Sequence, residues 1–143
     1  MRDLRSEIHA VFDAEAADIN TYSPLTFAYI GDAVFEIIIR TLIVEKGQCA
    51  PQTLHKRTTK IVRAETQAKM IEAVYEQLSE EERNIYRRGK NTKINSSAKN
   101  ASLSDYRKAT GFEALCGYLF LKDDTERMIA IIKEALALLG IEL

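Results

Sequence analysis

Apolar positions recur at helical intervals from the first turn of this chain to its last. Leu4, Ile8, Val11 and Phe12 fall at i, i+4, i+7 and i+8, a spacing that stacks side chains on one helix face. Ser23 followed by Pro24 is a capping residue ahead of a proline at the first helical position, and Gly47 closes what they open. The pattern predicts a long central helix over 25–46, apolar nearly all round and hence buried. Pro51 opens the next helix, through Leu54, with a bend or break near Arg63. Ala64, Ala68, Ile71, Val74, Tyr75 and Leu78 carry the period onward. Ser79 and Glu82 form a capping box for a short helix that ends at Gly89. Residues 90–102, KNTKINSSAKNAS, are polar and aperiodic, and a loop of that length inside a compact domain is usually functional or unstructured. A second strongly apolar helix follows over 103–121, and Asp123 or Asp124 caps a last one running to Gly140. No segment alternates with the period of a strand and no internal repeat is present. The expected fold is all-α, about seven helices, with residues 1–143 as a single domain.

Composition narrows the class. A chain of 143 residues can bury a core without metal or disulfide support. Cys49 and Cys116 lie far apart and belong to no ligand set, so they read as reduced thiols of a cytoplasmic protein. The first residues, MRDLRSEIHAVF, contain no apolar run of the secretory kind. Even the oiliest segment is interrupted by Asp32, Glu36 and Arg40, so no membrane span is expected. Net charge is only −1, but it is segregated. HKRTTKIVR, 55–63, carries four Lys or Arg and no acid, and 87–108 carries +6, so the remainder sums to −11. Such clustering creates a local positive field on a nearly neutral protein.

The candidate chemistry lies on the two apolar helices. YIGDAVFEIIIR, 29–40, carries Gly31 and Asp32 side by side, although Gly costs about 1 kcal/mol in a helix interior and an unpartnered buried carboxylate costs more. ATGFEALCGYLFL, 109–121, places Glu113 among Phe112, Leu115, Leu119 and Phe120. Small residues flank both acids: Ala28 and Gly31 near Asp32, and Ala109, Thr110 and Gly117 near Glu113. Small neighbours one turn away leave room for a hydrated ion or a phosphate. Two carboxylates from two helices can hold Mg²⁺, which takes oxygen ligands and keeps several waters. The pattern by itself favours a plainer reading, with Asp32, Glu36 and Arg40 forming a solvent-facing stripe and Glu113 likewise facing water. His9 and His55 sit near no candidate nucleophile, and no phosphate-binding glycine motif is present.

The same residues resemble a known family. Tyr29 to Val34 looks like the signature helix of ribonuclease III catalytic domains, and Thr110 to Gly117 looks like that family's second acidic motif. The match is closer still to the short bacterial branch, mini-ribonuclease III. It is carried by Ala28–Ala33, Leu54-His55-Lys56, Arg88-Gly89-Lys90-Asn91, Tyr106-Arg107 and Phe112–Leu115, in order over 23–121. The resemblance implies an all-α homodimer that cleaves double-stranded RNA with Mg²⁺ and leaves 5′-phosphate and 3′-hydroxyl ends. On it, Asp32 and Glu113 are the catalytic, metal-binding acids, and the implied substrate is the 23S ribosomal RNA precursor, with the possible assistance of a ribosomal protein. No double-stranded-RNA-binding domain is expected beside the catalytic one, so duplex contacts are expected from Lys56, Lys60, Arg88, Lys90, Asn91, Lys93, Lys99 and Arg107. Two departures stand out. Ala28 and Thr110 occupy positions that are acidic in ordinary ribonuclease III, which leaves the number of metal ions open. It also leaves open a module that holds duplex RNA without cutting it, beside the more distant reading of a helical protein–protein adaptor.

Overall fold

The computed structural model describes residues 3–92 and 102–143. Among them it shows helices and no strand. The helices are α1 (Leu4–Val11), α2 (Pro24–Glu45), α3 (Pro51–Val62), α4 (Ala64–Val74), α5 (Glu80–Lys90), α6 (Leu103–Leu121) and α7 (Thr125–Leu138), with short 3₁₀ turns at Ile19–Thr21 and Tyr75–Gln77. The boundaries follow local chemistry. The Ser23 hydroxyl caps α2 ahead of Pro24, Ser79 and Glu82 form the reciprocal capping box of α5, and Asp124 rather than Asp123 caps α7. Arg63, extended at φ −68° and ψ 155°, separates α3 from α4. Gly140 ends the last helix at φ +68°, a left-handed conformation that costs glycine little.

α6 is the centre of the molecule. It packs chiefly on α2, then on α5 and α4, while α7 closes against α4. Phe35 and Phe112, both fully buried, meet edge to face at 5.1 Å across the α2–α6 contact. The contact is close because glycines face backbone. A Cβ on Gly31 would overlap the Glu113 carbonyl oxygen and lie 2.6 Å from the Gly117 nitrogen. A Cβ on Gly117 would overlap the Phe27 carbonyl and lie 3.0 Å from the Gly31 nitrogen. The two helices therefore cross backbone to backbone at reciprocal glycines.

Two expectations are corrected. α2 is not buried all round: Tyr29, Ile37 and Val44 are 82%, 58% and 56% exposed, while Phe27, Phe35 and Ile39 face the core. α1 buries no residue, and Leu4, Ile8, Val11 and Phe12 are all exposed. Periodicity reports which side chains share a face, and does not say that the face meets this chain's own core. Gly89 does not end α5, which continues to Lys90 with Asn91 as its C-cap. Gly89 is instead buried against α6, where a Cβ would lie 2.8 Å from that of Ala114 and 3.0 Å from the Gly111 Cα.

Helix propensity alone would make Gly31→Ala stabilising by about 1 kcal/mol. The backbone clash is larger, since overpacking a tight core costs about 1–3 kcal/mol and more where backbone must move. We expect Gly31→Ala to be net destabilised, with a melting temperature lower by roughly 5–10 °C. Calorimetry or thermal circular dichroism checks this, and an unchanged or raised melting temperature would place slack at the crossing.

Candidate active site

The glycine crossing sets the position of two acids. Asp32 follows Gly31 on α2, and Glu113 is the residue whose carbonyl Gly31 faces on α6. Asp32 is exposed and Glu113 half-buried, and burial together with the adjacent Asp32 carboxyl pushes Glu113 up to about 9. Burial is the largest cause, followed by the hydrogen bond to Asp32 and the repulsion of its charge. Burial and the neighbouring acid thus both favour the protonated form of Glu113. The solvent-facing stripe survives only in part. Glu36 and Arg40 do form an ion pair at 3.1 Å, but Glu113 does not face open water.

The small neighbours have a different use from the expected one. Gly31 and Gly117 face the opposing backbone rather than an ion or phosphate. Ala28 and Thr110 are both buried, and the Thr110 hydroxyl donates to the Tyr106 carbonyl at 3.0 Å. A carboxylate at either position would have to be desolvated. The residues that pattern reading missed are thus the packing glycines: Gly111 lies on a helix predicted to be apolar, whereas Gly89 lies on the polar α5 and carried no such signal.

The basic candidates divide into two groups. α5 lies against α6 at Gly111 and Ala114, the level of Glu113, and its last turn carries Arg88 and Lys90 with Asn91 as cap. Arg88 and Asn91 are exposed and Lys90 is half-buried. Arg107 is exposed in the early turns of α6, about 9 Å along the axis from Glu113. Lys56 and Lys60 are exposed on α3, which packs beside Arg40 and Val44 of α2, about 12–18 Å along that helix from Asp32. The structure thus gathers the α5 cations near the acids and leaves those of α3 apart. Lys93 and Lys99 lie outside the described residues.

An ion pair fixes α5. Glu82, itself buried, receives the Arg127 guanidinium at 2.7 Å and 2.9 Å, so its carboxyl is held below the usual range. The same Arg127 donates to the Gln77 carbonyl at 3.1 Å, tying α7 to the entry of α5. On the next face Glu81 accepts from the Tyr118 hydroxyl and from Lys122. No helix among the described residues is long and apolar enough to cross a membrane.

An all-α fold that presents an acid pair at the crossing of two apolar helices, beside a basic helix end, defines the class. Residues 25–124 match the ribonuclease III domain family. A "Mini-ribonuclease 3" of Clostridium tetani is 49% identical over 117 residues, covering 81% of this chain and 78% of that protein. The "Mini-ribonuclease 3" of Brevibacillus brevis is 43% identical over 121 residues, covering 85% and 90%. An X-ray structure of a Fusobacterium nucleatum protein superposes with a TM-score of 0.74 at 30% identity, covering 78% of this chain and 91% of that one. The chain belongs to the ribonuclease III domain family, in its Mini-ribonuclease 3 branch, and is an endoribonuclease.

The acid pair makes stability depend on pH. Glu113 binds its proton more tightly folded than unfolded, so its contribution is complete below the ordinary value of 4.5 and is lost as pH rises toward about 9. In chelator, wild-type protein should lose stability relative to Glu113→Gln between pH 5 and 9. Urea titrations of both proteins across that range check it, and parallel curves would show that Glu113 does not hold its proton more tightly in the folded protein.

Proposed function

We propose that the chain hydrolyses double-stranded RNA with Mg²⁺ held by Asp32 and Glu113. The observation that carries this reading is the convergence of those carboxyls from two helices, with the charged form of Glu113 disfavoured in the absence of a cation. The donor set fits. Carboxylate oxygens are the ligands Mg²⁺ prefers, and it takes few of them, keeping water and substrate phosphate as the rest. Among the described residues no group of three or more His, Cys, Asp or Glu side chains surrounds a common point, so water and RNA would fill the remaining positions.

When bound, Mg²⁺ would polarise the scissile phosphate and lower the pKa of an attacking water. Asp32 supplies a solvent-facing carboxylate, and Glu113 gives up its proton when the cation takes its place. The expected products carry 5′-phosphate and 3′-hydroxyl ends. Arg88, Lys90, Asn91 and Arg107 lie where they can meet RNA phosphates near the acids, with Lys56 and Lys60 further along α2. A-form RNA is held mainly through phosphates and 2′-hydroxyls, so sequence preference should be weak.

The reading extends to a homodimer. The exposed apolar stripe of α2, with Tyr29, Ile37 and Val44, and the uncovered face of α1 supply the area that a second copy would bury. The 23S ribosomal RNA precursor as natural substrate, the possible assistance of a ribosomal protein, a cytoplasmic location and a single catalytic domain over 1–143 complete the proposal. They rest on the family relationship.

Asp32→Asn and Glu113→Gln should each retain the fold and lose Mg²⁺-dependent cleavage of duplex RNA by at least about 100-fold, the scale of a removed charge-stabilising group. Either variant, folded and cutting at the wild-type rate, would sink the assignment. Duplex affinity, measured in a non-cleaving background, should fall steeply with salt. Arg88→Ala with Lys90→Ala should flatten the log–log slope by up to about 1.8, taking roughly 0.9 per phosphate contact from duplex DNA. A slope equal to wild type would remove α5 from the interface.

A further inference from the structure

A second cleft lies beyond the acid pair, at the far end of α2, where α3, α4 and the segment after α7 meet. Its volume is about 580 Å³, within the range of small-molecule sites. The floor is aliphatic: Ile43 and Ile61 are buried, and Leu139, Ile141 and Leu143 pack partly buried beside them. The wall carries Lys46, Arg57, Lys60, Arg63 and Lys69 against one acid, Glu142. Arg63 is already engaged, by Glu65 at 2.9 Å and by the Thr66 hydroxyl at 3.3 Å. Lys46, Lys60 and Lys69 have no carboxylate partner among the described residues, and Arg57 donates only to the Cys49 sulfur, at 3.4 Å. The cleft begins about 17–21 Å along α2 from Asp32, so it is not part of the acid site.

Four unspent cations around an apolar floor select for a ligand with two different ends. A free phosphate would leave the floor wet. A duplex backbone offers phosphates but keeps its bases stacked inside, with nothing to lay on five aliphatic side chains. An unpaired nucleotide offers both, a flat base for the floor or the Arg57 guanidinium plane and phosphates for the lysines.

We propose that this cleft binds a nucleotide, its base on the floor formed by Ile43, Ile61, Leu139 and Ile141 and its phosphate among Lys46, Lys60 and Lys69. The nucleotide is either a free nucleoside phosphate or an unpaired residue of the RNA beside its duplex. Only the second source rests on the proposed RNA cleavage.

The test uses the full chain in EDTA. Fluorescent N-methylanthraniloyl-ATP is titrated into wild type, Asp32→Asn and the double variant Lys46→Ala/Lys69→Ala, whose lysines are both exposed so that the fold is spared. For a free nucleotide we expect saturable binding by the first two proteins, at least tenfold weaker binding by the double variant, and displacement by ATP but not by equimolar inorganic phosphate. For an unpaired RNA residue, a duplex with a three-nucleotide tail should bind tighter than its blunt form, and the double variant should erase that difference while leaving blunt-duplex affinity unchanged. Either pattern supports the site, and Asp32→Asn behaving as wild type keeps the result independent of the cleavage assignment. The proposal is overturned if neither pattern occurs, if phosphate competes as well as ATP, or if the variant weakens blunt and tailed duplexes alike.

Discussion

The backbone contact between α2 and α6 is the constraint on which the rest of the molecule depends. Reciprocal glycines, Gly31 and Gly117, let the two helices approach until main chain meets main chain. That approach brings Phe35 onto Phe112 and sets Asp32 against Glu113. A methyl group on either glycine would push the helices apart. The residues that allow the tightest packing are thus close neighbours of the two acids.

The electrostatics follow from this geometry. Glu113, half-buried beside another acid, has its carboxyl pushed up by burial and by Asp32, and no cation among the described residues offsets this. Elsewhere the chain does supply the partner. Glu82, also shielded from solvent, is paired with Arg127, which holds its carboxyl below the usual range. The contrast between two buried glutamates, one matched and one unmatched, separates a structural carboxylate from a candidate functional one. The matched pair is also useful to the other, because it anchors α5, whose basic last turn lies beside α6 at the level of Glu113.

Apolar surface remains exposed on both α1 and α2. α1 contributes no buried side chain, although Arg5 ties it to Asp123 and lies over the Phe120 ring at 5.7 Å. The outer face of α2 leaves Tyr29 and Ile37 in solvent while its inner face is fully packed.

Much of this was legible in the chain itself. Capping boxes, prolines at first positions and helical spacing depend on residues three or four apart, so Ser23-Pro24, Ser79 with Glu82, and the break at Arg63 marked their helices to within a residue or two. The two acids stood out because carboxylates are costly on apolar helices. What the chain could not show was which faces meet. Gly31 and Gly117 are 86 positions apart, and their contact, like the pairing of Gly89 with Gly111, exists only when the helices are packed. For the same reason Gly89 read as a helix end, and the outer face of α2 read as core. Local sequence determined the helices, their ends and the acids they carry, because those depend on short-range hydrogen bonds and propensities. Tertiary packing alone decided that Asp32 would meet Glu113 while Lys56 and Lys60 would not, because a helix face has no meaning until another backbone lies against it.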